Sequence, residues 1–259
     1  MADFDFPRIL GETLVRHVEY RPEVSSTNDL AIELALANAD VFPALTITTR
    51  QTGGRGRGAN RWWATGGALT FSLTIDAAVF QLPMHDWPKM SLTIGLSVCE
   101  TLEPLMPGRR IHLKWPNDVY LEGRKVCGVL VETIAQRPGL IVIGIGINVN
   151  NSFANAPAEL RSIATSLADT ANRNFELTSV LIRQLQQIEH RIASVVSNAE
   201  DLAESWRARC MLEGRTLSID LGPKRVTGVC HGIDDEGALL VQNEGGVERV
   251  FAGVVTQIL

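Results

Sequence analysis

The sequence predicts an α+β fold, a mixed β-sheet with helices packed on it, followed by a small C-terminal β-barrel of SH3-like size. Three observations carry this. Between Leu45 and Ile147, runs rich in β-branched residues alternate with turn sequences, as strands of one sheet require. Two stretches, 87–105 and 178–210, instead carry apolar residues at helical spacing. After Gly214 the texture changes to short apolar runs cut by turn sequences. For 259 residues, one large and one small unit are expected, because single cores stop growing at about 250 to 300 residues. The boundary falls between a catalytic-size unit, 1–211, and a small unit, 212–259.

Taken in order, Ser26 to about Asn38 opens with cap-type residues and continues with Leu30, Ala31, Leu34, Ala35 and Ala37 on one face, so it reads as a short helix. Leu45 to Thr49 and Leu69 to Ile75 read as strands flanking a glycine-rich loop. A helix is expected from Trp87 to Leu105, capped by Asp86, with Pro88 in its first turn and Pro107-Gly108 as its stop. Ile111–Trp115, Val119–Leu121, Lys125–Ile134 and Leu140–Ile147 follow as strands. Helical spacing returns over Thr178 to Asn198, with Leu181, Leu185, Ile188 and Ile192 on one face, and over Ala199 to Cys210. The last strands are Thr216–Asp220, Arg225–His231, Ala238–Gln242 and Val247–Val255. A unit of fewer than about 50 residues buries too little to stand alone, so it should pack on the larger one.

Composition excludes several classes. Hydrophobic residues make up 45% and charged residues 20%, enough to bury a core. With 24 Lys+Arg against 29 Asp+Glu the net charge is −5, so the basic footprint of a nucleic-acid binder is missing. No apolar run reaches the roughly 18 to 20 residues of a membrane helix; Leu140 to Val149 is broken by Gly144, Gly146 and Asn148. The first residues, Met1-Ala-Asp-Phe-Asp-Phe-Pro7, are acidic where a signal peptide would be basic, so a cytoplasmic location is expected. Cys99, Cys127, Cys210 and Cys230 form no C-x-x-C pair and read as small buried hydrophobes. The five histidines are scattered, and no G-x-S-x-G elbow supports a nucleophilic hydrolase.

Chemistry concentrates in a few segments. Gln51-Thr-Gly-Gly-Arg-Gly-Arg-Gly-Ala-Asn-Arg61-Trp62-Trp63 places four glycines and three arginines between two strands. Glycines admit close backbone approach and Arg forks bind phosphate or carboxylate, so this is an anion-gripping loop or a flexible solvated one. It has neither Walker A nor Rossmann spacing, and an RNA-binding Arg-Gly tract would sit in a disordered basic segment. Ser25-Ser-Thr-Asn-Asp29 is either a capping box, Ser26 with Asp29, or a polar ligand contact at a helix start. Lys114-Trp-Pro-Asn-Asp118 is either a hairpin corner with a snorkelling lysine or part of a phosphate and metal-nucleotide site. Gly128, Gly144 and Gly146 inside apolar strands mark close approach of a backbone or ligand, and Asn148 and Asn150 either contact a nucleotide or make a turn.

Ser26-Thr-Asn28, Gln51-x-x-Gly54-Arg-Gly-Arg-Gly58 with Arg61-Trp62, Lys114-Trp-Pro-Asn-Asp118, Lys125-Val-Cys-Gly-Val-Leu-Val-Glu132 and Gly144-Ile-Gly-Ile-Asn-Val-Asn150, in this order, resemble the bacterial biotin protein ligases. The resemblance has motif quality over about 20–150 and is looser to the end. It implies a class II synthetase-like catalytic domain that makes biotinyl-5′-AMP from biotin and ATP with Mg²⁺, releases pyrophosphate, and passes biotin to a lysine of a biotin carboxyl carrier protein. It places Ser26, Thr27 and Gln51 on the ureido head of biotin, Asn28 in support, and Gly128 and Gly144 at the biotin pocket. Arg55, Gly56 and Arg57 become the loop gripping biotin and adenylate, Trp62 the cover on the adenine side, and Asn148 a nucleotide contact. Lys114 would lie by the biotin carboxylate and α-phosphate, making Lys114, Arg55 and Arg57 the catalytic set, and Asp118 would be a magnesium ligand. Repressor-type members carry an N-terminal winged helix-turn-helix; here 25 residues precede Ser26, so a monofunctional ligase is expected. Trp63 beside Trp62 and the weakly basic Gly58-Ala-Asn60 depart from the family pattern, which puts loop dynamics in doubt. Monomer and homodimer both stay open. The competing readings are a lipoate ligase or octanoyltransferase, and a biotin sensor without ligase activity.

Overall fold

A computed structural model describes residues 4–37, 40–58, 60–63, 66–154, 156–197 and 202–258. Seven strands form the main sheet: β1 (His17–Val24), β2 (Ala44–Gln51), β3 (Leu69–Asp76), β4 (Ile111–Lys114), β5 (Asp118–Leu121), β6 (Arg124–Thr133) and β7 (Leu140–Ile147), in the spatial order β1-β2-β3-β7-β6-β5-β4. Only β1 and β2 run parallel; every other neighbouring pair is antiparallel. β7 is buried along its whole length, which explains why its sequence is a continuous apolar run without alternation.

The helices are α1 (Phe6–Glu12), α2 (Thr27–Leu36), α3 (Met90–Leu102), α4 (Ala158–Ile163), α5 (Leu167–Ala171), α6 (Leu177–Ser197) and α7 (Leu202–Arg209). The two faces of β7 have different fates. Ile141, Ile143, Ile145 and Ile147 join the main core, which α3 and α6 complete, while Leu140 and Val142 pack against Ala31 and Ala35 of α2. Every α3 residue except Ser91 and Glu100 is buried, because α3 lies between the sheet and α6. Arg191 of α6 closes over Glu100, its Nε donating at 2.7 Å. Continuing down β7 on the α2 side, the next positions are Gly144 and Gly146, and there the packing gives way to a cleft.

A five-stranded antiparallel sheet follows: β8 (Thr216–Asp220), β9 (Arg225–Ile233), β10 (Leu239–Asn243), β11 (Gly246–Val250) and β12 (Val254–Ile258), ordered β11-β10-β9-β8-β12. It does pack on the larger part. Leu217, Ile219, Ile233 and Leu239 belong to the same buried cluster as the main sheet, Met211 N–H donates to Leu113 O at 2.9 Å, and Trp115 Nε1 donates to Gly237 O at 3.2 Å.

Several sequence-based expectations need correction. The helix expected from Trp87 starts as a 3₁₀ turn, Met84–Lys89, containing Pro88, and becomes α-helical only at Met90. Proline has no N–H for the first full α turn, so the tighter turn precedes it. The single strand Val247–Val255 is two strands, β11 and β12, on opposite edges of their sheet, divided at Phe251–Gly253, where Gly253 has φ +151°. Strand β1 and helices α1, α4 and α5 had no counterpart in the sequence reading. β1 is a polar edge strand with one neighbour, which is where Pro22 is tolerated and where apolar alternation is weakest. Ser26 occupies the N-cap of α2 but makes no side-chain cap bond, so the capping-box reading fails. The helix limits expected at Asn38, Asn198 and Ala199, and loop residue Ala59, lie outside the described residues.

Candidate active site

The cleft opens where side chains stop. Gly144 faces Ser72 on β3 and Leu130 on β6, and Gly146 faces Thr70 and Gly128, so the floor is largely bare backbone. The space is used from above. A methyl group at Gly144 would lie 2.2 Å from Asn28 Oδ1, and one at Gly146 only 2.4 Å from Trp62 Cε2. The indole of Trp62 therefore rests on the floor, and its Nε1, buried, has no hydrogen-bond partner among the described residues.

The Gly/Arg segment is a folded hairpin, not a flexible solvated loop. Arg55 bridges Arg61, Gly56 N–H donates to Asn60 O at 2.8 Å, and Trp62 N–H donates to Gly54 O at 2.9 Å. This closure is why Gly54 must be glycine: a Cβ there would meet Trp62 O at 2.6 Å. The hairpin swings Trp62 back over β7 and leaves Arg55 and Arg57 in the cleft wall.

At the α2 start, Thr27 N–H donates to Gln51 Oε1 at 2.7 Å, and Thr27 Oγ1 stands 3.1 Å from the same oxygen. Ser72 Oγ, fully buried beneath, lies 2.8 Å from Thr27 Oγ1 and 2.6 Å from Asn28 Oδ1. Asn28 Nδ2 donates to Glu132 Oε2 at 2.7 Å and to Leu130 O at 3.3 Å. Glu132 also receives both Nη groups of Arg55, at 3.0 and 2.7 Å, and Asp29 pairs with Arg55 at 2.7 Å. The hydrogen bond to Glu132 is the main reason the Arg55 pKa is raised.

Opposite them stand two lysines. Lys125 Nζ pairs with Asp118 Oδ1 at 2.6 Å, and Lys114 Nζ donates to Tyr120 OH at 3.4 Å, 5.4 Å from its ring centre. Burial lowers the Lys114 pKa; Asp118 opposes this and Lys125 adds to it. Burial also pushes Tyr120 up to about 12. Arg57 is lowered by burial, partly offset by Asp118, and its Nη2 donates to Gly253 O between β11 and β12. The C-terminal sheet thereby reaches the cleft, where Val254 and Val255 form part of the lining.

Of the residues expected at the site, Ser26, Thr27, Asn28, Gln51, Arg55, Gly56, Arg57, Trp62, Lys114, Asp118, Gly128 and Gly144 all line this cleft of about 140 Å³. Asn148 is not among its lining residues. It is buried at the end of β7, where its N–H donates to Val126 O, its carbonyl accepts from Leu167 N–H, and its Oδ1 accepts from Asn151 Nδ2 at 3.0 Å. The structure thus gives Asn148 a scaffolding position. Asp118 is the counter-ion of Lys125, and no cluster of three or more His, Cys, Asp or Glu able to hold a metal exists among the described residues. The magnesium-ligand expectation for Asp118 thus concerns a carboxylate that already pairs with Lys125.

Four residues at or beside the cleft were not assigned to the site in the sequence reading: Asp29, Ser72, Lys125 and Glu132. Lys125 was hidden by a β-bulge. Along β6, Gly128 pairs with Asp118 and Cys127 with Val119, but Tyr120 then pairs with Lys125, skipping Val126. The extra residue breaks the alternation and turns Lys125 to the cleft side, its Cε and Nζ 3.4 Å from where a Gly128 methyl would sit.

Comparison with known proteins agrees with this geometry. Residues 21–148 match the biotin/lipoate A/B protein ligase family. The chain is 33% identical to a biotin–[acetyl-CoA-carboxylase] ligase of Mycobacterium tuberculosis, over 94% of this chain and 90% of that protein. It is 30% identical to a bifunctional ligase/repressor of Bacillus spizizenii, covering 93% of this chain and 74% of that one. A biotin protein ligase from Aquifex aeolicus, solved with biotin and ATP, superposes with a TM-score of 0.78 at 28% identity, over 92% and 97% of the two chains. The bare-floored cleft, the arginine hairpin above it and these likenesses lead to one assignment: the chain belongs to the biotin/lipoate A/B protein ligase family, among its biotin protein ligases.

Proposed function

We propose that this chain activates biotin with ATP to biotinyl-5′-AMP and transfers the biotinyl group to one lysine of a biotin carboxyl carrier protein. The observation that carries this reading is a single cleft holding a polar cradle at the α2 start and five cations, Arg55, Arg57, Arg61, Lys114 and Lys125, beside it. In the first step a carboxylate oxygen of biotin attacks the α-phosphorus and pyrophosphate leaves. Two anions must meet, so fixed cations that need not reorganise lower the barrier. Positioning supplies much of the rest. In the second step the carrier lysine amine attacks the acyl carbon, an amide forms, and AMP leaves.

Neither step needs a protein nucleophile. No cysteine lines the cleft among the described residues, and Cys99 and Cys127 are buried with thiol pKa values raised by that burial. This disfavours an octanoyltransferase with a cysteine nucleophile; one with a lysine nucleophile is separated by the substrate test below. Magnesium enters as the metal of Mg-ATP, held mainly by the phosphates, with Asp118 in the cleft lining as the carboxylate the chain offers it.

The test is pyrophosphate release with Mg-ATP and biotin, lipoate or octanoate, without and with a carrier domain. Biotin-dependent release that becomes multiple-turnover only with the carrier is expected; release with lipoate alone would move the chain to the sister activity, and biotin binding without release would leave a sensor. Arg57 bears on the interval between the steps, since it ties the hairpin to the C-terminal sheet at Gly253. Arg57→Gly is expected to loosen this closure and release adenylate, which labels bystander lysines on unrelated proteins. Unchanged acceptor selectivity, read by biotin blotting of an added albumin, would contradict that role.

A further inference from the structure

Two of the cysteines meet at the joint between the two sheets. Cys210 follows α7: its N–H donates to Arg207 O at 3.0 Å, it bridges Leu113 of β4, and the next residue, Met211, donates to Leu113 O. Cys230 lies on β9, the middle strand of the C-terminal sheet. The chain beyond Cys210 turns back onto it, since Gly214 N–H donates to Cys230 O and Cys230 N–H donates to Arg215 O, both at 2.9 Å. The two thiols are thereby brought within hydrogen-bonding reach of each other. Cys210 is partly exposed, whereas Cys99, Cys127 and Cys230 are buried.

The surroundings of the two sulfurs differ. Cys210 Sγ accepts from the Cys230 thiol and from the N–H groups of Leu212 and Glu213, and these donors hold its pKa below the ordinary thiol value although burial and the Glu213 charge oppose them. Cys230 keeps its proton, because its bond to Cys210 raises its pKa and burial adds to that. Cys99 and Cys127 are raised by burial. A thiolate is the form that attacks a disulfide, so Cys210 is the attacking sulfur and Cys230 the one placed to follow.

We propose that Cys210 and Cys230 are a reversible disulfide site, closed by exchange with a small-molecule disulfide. Cys210 Sγ, as thiolate, attacks one sulfur of the reagent, whose S–S bond breaks and releases one thiolate. The mixed disulfide removes the charge that held the Cys230 proton. That proton passes to solvent as Cys230 Sγ attacks Cys210 Sγ, and Gly232 N–H, 3.4 Å from Cys230 Sγ, supports the developing charge. The second reagent thiolate then leaves. Two protein thiols are oxidised, and one disulfide is reduced to two thiols that take up the two protons. Neither cysteine lines the cleft, so the site stands apart from the ligase reading. The new bond closes a loop of about 20 residues, which constrains the unfolded chain. It also ties β9 to the segment held on β4, fastening the sheet whose Gly253 engages Arg57 to the sheet that carries Lys114.

The experiment incubates the folded full chain with glutathione disulfide, blocks remaining thiols with an alkylating reagent under denaturing conditions, and maps the cysteines by peptide mass. A cross-linked peptide joining Cys210 to Cys230 is expected, with Cys99 and Cys127 alkylated and full reversal by dithiothreitol. The bridged protein should melt about 5 °C or more above the reduced one. Cys210→Ser should neither bridge nor take up glutathione, and Cys230→Ala should stop at a glutathione adduct on Cys210. An adduct on Cys210 that never closes in the wild type, a bridge to Cys99 or Cys127, or no reaction at all would overturn the proposal. So would a bridged protein that melts no higher than the reduced one, since the bond would then fasten nothing. The wild-type map and melting curve decide these outcomes even where a variant does not fold.

Discussion

Replacing Lys125 or Lys114 with methionine is expected to slow biotin-dependent pyrophosphate release by about 100-fold or more, in line with the roughly 10²- to 10³-fold effect of removing one fixed transition-state hydrogen-bond donor. The two lysines flank Asp118 in the cleft, one paired with it at 2.6 Å and the other sensing it through the field. They are expected to differ in what else they do. Lys125→Met strands the Asp118 carboxylate and should lower the melting temperature, and Asp118→Asn added to it should restore the temperature but not the rate. Lys114→Met relieves a half-buried charge and should leave stability nearly unchanged. Because burial lowers the Lys114 pKa, the rate is fully present below that pKa and is lost as pH rises through it, so the alkaline limb falls below the ordinary lysine value of 10.5. Arginine stays charged there, so Lys114→Arg should carry the limb to higher pH even if its maximal rate is lower. The linkage for folding has the opposite sign. The unfolded chain holds the Lys114 proton more tightly, so rising pH improves this group's contribution to stability, and the alkaline loss is one of chemistry. Full adenylation rates in both methionine variants, measured by single turnover, would refute the assignment.

The second large effect is expected at the floor. Gly144→Ala drives a methyl to 2.2 Å from Asn28 Oδ1, and Gly146→Ala drives one to 2.4 Å from the Trp62 ring. Overpacking of this kind costs about 1 to 3 kcal/mol, which corresponds to roughly one to two orders of magnitude when it is taken from binding. The losses should fall on different substrates. Gly144→Ala is expected to raise the biotin KM at least tenfold with little change for ATP, because it disturbs the α2 cradle. Gly146→Ala should do the reverse by lifting the indole assigned to the adenine side. Gly11→Ala, in open space on α1, serves as the control and should change neither. Equal effects of both floor substitutions on both substrates would contradict this division of the cleft.

Much of this was legible in the residues themselves. β7 was found from its apolar run because both its faces are covered, β3 from its β-branched residues, and the glycines within β7 pointed correctly to close approach. The residues from Ser26 to Gly144 that line the cleft were singled out because short motifs specify them locally. What escaped has physical reasons. The fate of Lys125 depends on the bulge at Val126, which no pattern of period two reveals. Ser72 looks like one more polar residue in a strand of alternating threonines and serines; only the register with Gly144 places it under Asn28. Asn148 stands four residues after Gly144, yet the chain has already left the strand, and backbone partners from α5 and β6 engage it. Arg57 and Gly253 are 196 positions apart, and their contact exists only because the two sheets share one core.

The indole of Trp62 has a consequence for how the protein can be observed. It rests on backbone at Gly146 with a buried N–H that nothing in the described structure accepts, so that donor is open to an occupant of the cleft. Any occupant that supplies an acceptor to that N–H or stacks on that ring changes the colour and yield of its emission. The cleft thus contains its own optical reporter, and the occupancy of the floor can be followed in the unlabelled protein by ultraviolet fluorescence, on the time scale of binding and before any bond is made.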